Sequence, residues 1–581
     1  MTGHMKSFNE LRTLLRSLDR KGYPAYKSLS GAWQFPSYLL VIDHVQGDPF
    51  ASPSALHVAI PADKAGFPKE YYEQDCARIA LQDYLTRQLS SQFERYNFKA
   101  KGSGKSGLLS ITRCGQEVLE RSACELIGGT LTVRFHVGFP AFGRTICAGE
   151  LEKILFEFLP GCVEKSLFYR NLDKEQVQDM VFLAEDQQEI REYLAREGLV
   201  AFVANGAVLP RKSGVSNLPL RDSVPFESPG SLERSIALPH AGEVKGMALP
   251  KGITLVVGGG YHGKSTLLEA IQSGVYNHIR GDGREYVITD DSAVKLRAED
   301  GRSIRRVDIS LFINDLPNQK DTVSFSTEDA SGSTSQAAAV VESLEAGSSL
   351  LLVDEDTSAT NFMVRDEFMQ KVIRKDKEPI TPFIERVREL YEKEGVSTIM
   401  VAGSSGAFFH VADYILKMDC YHTLDITEEV KKLCKEYPAP AMQAAPFETP
   451  DYKRVLPVFT ERKNSDRASG NRRHSQADNR HEHMKIKTNG LDSLSLNKET
   501  VDVRYLEQLT DTEQTVALAY LLRYGLEQIL DGKKTVRQVA CQIYDALNKK
   551  GWTELCGSYV PCGLARPRIQ ELYACLNRFR G

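Results

Sequence analysis

The sequence predicts an α/β protein built around a largely parallel sheet flanked by helices, with an α+β domain before it and an α-rich domain after it. Three observations carry this. At 581 residues the chain exceeds what one hydrophobic core organises. Between residues 210 and 455, apolar β-branched runs precede helical patterns (252–257 before 265–272, 349–353 before 361–373), as expected of strands joined by helical crossovers. Beyond residue 491, helical periodicity dominates.

Taken in order, residues 6–203 mix helix-like stretches (8–18, 72–93, 151–158) with strand-like ones (39–43, 131–137). The Pro, Gly and Ser-rich run LPRKSGVSNLPLRDSVPFESP at 209–229 has boundary composition, so the first domain is taken as 1–207 and the second as 208–460. Residues 461–487 carry eight Lys or Arg, four acids and three His with almost no large apolar side chain, which predicts a mobile basic linker over 461–490. Domain 491–581 should hold helices near 505–509, 515–530, 536–547 and 568–578.

Whole-chain properties narrow the class. With 42% hydrophobic and 26% charged residues and a formal charge of -4, the chain is neither disordered nor collagen-like, and its net charge selects no partner. Eleven cysteines without a CxxC pair suit a reducing compartment better than a disulfide framework. No run of 18 apolar residues and no apolar leader occur, so a cytoplasmic protein with no membrane association is expected.

The chemistry concentrates in two motifs. GGGYHGKST satisfies G-x-x-x-x-G-K-[ST] between an apolar run and a helical pattern. Gly258, Gly259, Gly260, Tyr261, His262 and Gly263 would turn backbone N–H groups toward phosphate, aided by the partial positive charge of a helix N-terminus. Lys264 would neutralise the β and γ oxygens, Ser265 would place a hydroxyl on Mg²⁺, and Thr266 would reach the α-phosphate of ATP. About 90 residues on, SLLLVDED ends a buried-type strand in two carboxylates. Asp354 is the candidate for the Mg²⁺ shell, and Glu355 for the general base acting on water. Asp329 to Gly332 spell D-x-x-G, but no NKxD follows, which argues against a GTPase.

GGGYHGKSTLL, DASGSTSQAA and LVDEDTSATNFM together resemble the predicted ATPases of the ABC class, a P-loop family that includes a kinetoplastid mitochondrial RNA-binding ATPase. In ABC ATPases a Ser-Gly loop stands about 18 residues before the acidic strand, as Ser331, Gly332 and Ser333 with Gln336 do here. The resemblance implies that this loop binds the γ-phosphate held by a second subunit, in a homodimer with composite sites. It also implies a nucleic-acid partner, RNA more than DNA. Residues 357–361 lie where such proteins carry a loop that crosses the dimer, and Gln319 is the candidate linking Mg²⁺ to the flanking domains. Phe226 stands where an adenine-stacking aromatic is common, and a core phenylalanine fits that place equally well. The strand at 398–404 lacks the histidine that usually follows it, so Gly403, Ser404 or Ser405 must replace its contact, or hydrolysis is slow. An ATP-gated switch or scaffold with slow turnover is therefore the alternative; a transporter subunit fits the appended domains poorly.

FKAKGSGKSGLL at 98–109 imitates a second P-loop, but Lys99 occupies the place of its first glycine. With Arg113, Arg134 and Arg144 it reads as a basic loop whose charges, taken alone, fit a solvated face; the resemblance implies that they form a surface for nucleic-acid phosphates.

Overall fold

The computed structural model describes residues 6–365, 378–403, 405–437, 444, 446–458 and 483–580. Most of the predicted linker, 461–482, lies outside the described residues.

The first domain is a mixed sheet ordered Lys6–Ser7, Gly31–Gln34, Leu39–His44, Ser54–Pro61, Thr130–Val137, Leu109–Ser110, with Cys124–Ile127 also pairing to Thr130–Val137. Strand Thr130–Val137 alternates strictly, burying Leu131, Val133, Phe135 and Val137, because a sheet covered on one face selects period two. The cover includes helix Asp75–Glu94, which contributes Leu81, Leu85, Leu89 and Phe93 to the same core.

The middle of the chain forms two sheets. A four-stranded antiparallel sheet runs Glu233–Leu238, Gly242–Pro250, Leu199–Ala204, Val287–Thr289. A six-stranded sheet runs Val294–Leu296, Leu350–Asp354, Ser397–Val401, Ile253–Gly258, Tyr414–Asp419, His422–Asp425; all pairs are parallel except the last hairpin. Every residue of Leu350–Asp354 and Ser397–Val401 is buried, which explains their continuous apolar runs.

Strand Leu199–Ala204 pairs with Gly242–Pro250 and Val287–Thr289, so the division expected near Val208 falls inside the second unit and belongs earlier. The Pro and Gly composition that suggested it marks instead a hairpin, Arg211–Ser213 with Ser216–Pro219; turns and linkers use the same residues. Phe226 is 2% exposed in the core with Val256 and Leu267, so it does not stack on a base.

The last unit adds an unexpected three-stranded sheet, Ile486–Asn489, Ser493–Leu496, Glu499–Asp502, to helices Thr512–Tyr524, Val536–Cys556 and Ile569–Arg578. The first strand lies within the span assigned to the linker. Asp511 and Thr535 each close a capping box at the start of the first two helices. The helix expected at 505–509 is absent, because that segment spends its polar groups on the neighbouring unit. The Gln508 carbonyl accepts from the Tyr276 hydroxyl, its side-chain oxygen accepts from the Lys295 N–H, and its side-chain amide donates to the carbonyls of Gln272 and Ala293. All eleven cysteines are free thiols, and no helix among the described residues is long and apolar enough to cross a membrane.

Arg121 fastens the first unit to the last. Its guanidinium, 2% exposed, donates to Asp511 at 2.7 Å and Glu513 at 2.8 Å. Burial pushes the Glu513 carboxyl above its usual range, with Arg121 opposing. Arg121→Ala should therefore cost about 3–5 kcal/mol by stranding a buried carboxylate, and Arg121→Ala with Glu513→Gln should recover part of that. Urea unfolding measures both, and a wild-type midpoint for Arg121→Ala would show that the cluster contributes nothing.

Candidate nucleotide site

The P-loop runs from the end of strand Ile253–Gly258 into helix Lys264–Ser273. Gly258 has φ +146°, and a Cβ there would stand 2.4 Å from the Met418 carbonyl oxygen, so only glycine lets the loop leave the strand. Gly263 precedes the helix at φ +96°, and no side chain caps the first turn. Its N–H groups are therefore available to an anion, which the helix dipole favours. Lys264 Nζ donates to the carbonyls of Gly258 and Gly259 at 2.8 Å each, which holds its charge inside the loop. Ser265 is exposed and Thr266 half-buried in the first turn.

The acidic pair lies at the same edge of the sheet. Asp354 pairs with Val401, and Val256 pairs with Val401 from the other side. One strand thus separates the P-loop strand from the acidic strand, two strand spacings or about 10 Å. Asp354 is 6% exposed, and its carboxylate accepts from the Asp356 N–H. Glu355 Oε2 accepts from the Gly403 N–H at 2.6 Å, so the residue following the middle strand, where the histidine is missing, already engages the carboxylate. Ser404 lies outside the described residues.

Ser331 caps helix Gly332–Glu345, accepting from the Thr334 N–H. Ser331 is exposed, Gly332 half-buried and Ser333 buried, with the Ser331 and Ser333 hydroxyls 3.4 Å apart. Deeper on the same helix, Gln336 donates to the Ser358 hydroxyl at 2.9 Å and accepts from the Ala359 N–H at 2.9 Å. Ser358 in turn donates to the Asp354 carbonyl at 2.8 Å. A continuous chain of hydrogen bonds therefore joins the Ser-Gly loop's helix to the end of the acidic strand.

Three further expected residues lie around the loop and beyond it. His262 Nδ1 accepts from the Cys420 N–H at 3.1 Å and lies 3.4 Å from Asp419, while its carbonyl accepts from the Tyr421 N–H. It fastens the P-loop to the turn of the Tyr414–Asp419 and His422–Asp425 hairpin. Tyr261 is fully exposed with φ +63°. Gln319 is exposed with φ +56° in the loop after Ile313, its N–H on the Leu316 carbonyl. Sequence reasoning missed the hairpin turn, whose Cys420 and Tyr421 adopt positive φ (48° and 72°) beside the loop, and Lys295. Burial pushes the Lys295 ammonium below its usual range, against the attraction of Glu507 and Asp354. Neither has a motif; only the strand order brings them to the site.

The donors present suit the groups the motifs call for. An uncapped first turn and a lysine suit phosphate, and the hydroxyl of Ser265 with the carboxylate of Asp354 forms the oxygen set that Mg²⁺ takes alongside waters. Lys264→Ala removes the loop's fixed cation and should abolish measurable nucleotide binding by isothermal titration; unchanged affinity would show that this loop does not hold the phosphates.

Three family models match the chain in succession: residues 8–170 match "ATPase of the ABC class N-terminal", residues 173–453 the P-loop domain of the ABC ATPase family, and residues 485–581 the MRB1590 C-terminal domain. The chain is 34% identical over 229 residues to the uncharacterized protein MJ1628 of Methanocaldococcus jannaschii, a match covering 38% of this chain and half the length of that relative. It also resembles the ADP-bound ATP-binding cassette MJ1267 of an ABC transporter, at 12% identity and a TM-score of 0.25, over 41% of this chain and 96% of that one. With a P-loop and an acidic strand flanking one shared strand, and family matches running almost end to end, this chain belongs to the ABC-class ATPases.

Proposed function

We propose that this protein binds and hydrolyses Mg-ATP at composite sites of a homodimer, acts in the cytoplasm, and couples that cycle to a nucleic acid, RNA rather than DNA. The observation that carries the ATPase reading is the shared register of Val256 and Asp354 on Val401, which brings the start of the P-loop and the acidic pair to one edge of the sheet on either side of one strand. The loop N–H groups and Lys264 bind the phosphates. Ser265 and Asp354 would hold Mg²⁺, which would supply charge neutralisation to the phosphates. Glu355 takes the proton of the attacking water, and the Gly403 N–H orients its carboxylate meanwhile. Ser331 and Gly332 complete the partner's site, and Gln319 reports on the metal to the flanking units. The RNA reading rests on the family resemblance together with the C-terminal match.

The slow-turnover switch is favoured by one specific observation. Glu355 is held by Gly403 in place of a histidine, so orienting the water falls to fewer groups. Turnover of the purified protein with RNA, single-stranded DNA, duplex DNA or no addition separates the two readings: stimulation by RNA supports the coupled enzyme, whereas a slow rate indifferent to all three supports the switch.

Glu355→Gln should bind ATP nearly as wild type while turnover falls by about 10²- to 10⁴-fold. Wild-type turnover in that variant would move the base elsewhere. That variant should also dimerise with ATP and not with ADP in light scattering, since it holds the triphosphate longest. Adding Ser331→Arg should abolish the dimer by filling the phosphate's place with bulk and charge. A Glu355→Gln protein that stays monomeric at saturating Mg-ATP would sink the composite-site reading.

A further inference from the structure

At the apex of the first unit, three loops are joined into one surface. The Lys105 N–H donates to the Pro49 carbonyl at 2.8 Å, the Ser103 N–H to the Ala141 carbonyl at 2.7 Å, and the Gly143 N–H to the Ser103 hydroxyl at 3.0 Å. The Gly107 N–H reaches the Gly138 carbonyl, and a Cβ on Gly138 would fall 1.8 Å from the Lys105 oxygen, so the loops meet closer than any side chain allows. The surface is thus fixed by backbone contacts and not by a hydrophobic core of its own.

From this surface three phenylalanines project into solvent: Phe50 is 65% exposed, Phe142 58% and Phe98 49%. Such rings are costly to leave in water. The Phe50 ring lies against Gly104, and Phe142 follows the Ala141 carbonyl that accepts from the Ser103 N–H, so both residues stand beside the GSGKSG loop. Phe98 begins that loop with φ +57°, a backbone that bulky residues rarely adopt, and the Gly107 carbonyl accepts its N–H. Lys99, Lys101 and Arg144, on the same loops, are exposed, with the Lys99 ammonium over the Tyr96 ring, and Lys105 is half-buried. The acids nearby are already engaged: Asp48 pairs with Arg144 at 3.1 Å and accepts from the Phe50 N–H, and Glu150 pairs with Lys153 and accepts from the Lys101 N–H. The expected phosphate contact from Arg134 is not part of this surface, because its guanidinium is bound to Glu125 and the Ser122 carbonyl; Arg113 faces Glu94 at 3.7 Å.

We propose that Phe50, Phe142 and Phe98, with Lys99, Lys101 and Arg144, form a stacking platform for single-stranded nucleic acid. The proposal rests on the nucleic-acid reading above and names its site. Exposed aromatic rings on loops that also carry exposed cations match a strand of unpaired bases on a phosphate backbone, where stacking is sequence-tolerant and the cations track the charge. A protein-docking face would instead be a contiguous apolar area with few charges at its centre. Here the rings stand on three separate loops, and two of those loops also carry Lys99, Lys101 and Arg144. A duplex keeps its bases stacked and offers these rings nothing.

The test is fluorescence anisotropy of the full-length protein with fluorescein-labelled dodecauridylate, dodecathymidylate and a duplex of the same length. Phe50→Ala with Phe142→Ala should weaken binding to the single strands by about tenfold or more. Phe50→Trp with Phe142→Trp should restore it, and duplex binding should not change. ATP turnover without nucleic acid, equal to wild type in both variants, verifies the fold. Wild-type affinity in the alanine variant would overturn the platform while leaving the nucleic-acid reading intact. A wild-type protein that binds none of the three probes would overturn both. Loss of a concentration-dependent self-association in the alanine variant would assign the rings to a second copy of the chain and overturn the platform as well.

Discussion

The register of three parallel strands governs the site. Because Val401 pairs with Val256 on one side and Asp354 on the other, the phosphate loop and the carboxylates leave the sheet at one level. A slip of one residue in either ladder would displace the acids by about 3.3 Å along the strand and turn Asp354 to the opposite face. The continuous burial of the acidic and middle strands holds that register, since every residue of both is packed from either side. The helices serve the same geometry: the first turn after Gly263 starts at the P-loop with no side-chain cap, and the helix begun by Ser331 returns through Gln336 to the end of the acidic strand.

Buried ion pairs gather where the C-terminal unit meets the helix that Ser331 begins. Arg578 bonds Glu299, whose N–H donates to the Ser335 hydroxyl at 2.9 Å; Arg302 bonds Glu342 on that helix; and Arg454 bonds both Glu345 and Asn577. Pairs of this kind add little net stability, because desolvation offsets their attraction, but each is strict about geometry. They tie the helix Ile569–Arg578 to the helix that Ser331 begins and to the segment before it, alongside the packing of Ala346 on the C-terminal core.

The P-loop and the acidic strand were legible because their chemistry is local: glycines, a lysine and a hydroxyl within nine residues, and two carboxylates ending an apolar run. The strand order, the tie between Gln336 and Ser358, and the burial of Lys295 were not, since each joins residues far apart in the chain. Spacing alone leaves Phe226 open between a ring in the core and a ring over a ligand, and the fold puts it in the core. Residues 505–509 have helical spacing but lie beside a unit whose carbonyls and amides compete for their hydrogen bonds, and tertiary contacts override so short a preference. Arg134 looked like a phosphate ligand until the fold brought Glu125 beside it on the neighbouring strand.

The hydrogen-bonded path from Gln336 through Ser358 to Asp354 has a consequence for the two halves of a composite dimer. In that arrangement the Ser-Gly loop touches one nucleotide while the acidic strand of the same chain serves the other. A displacement of the loop by the first phosphate is then felt at the second metal shell, and free-energy coupling runs equally in both directions. The two ATP molecules would bind as correlated events, and a protomer would sense the occupancy of its neighbour through two side chains and one carbonyl.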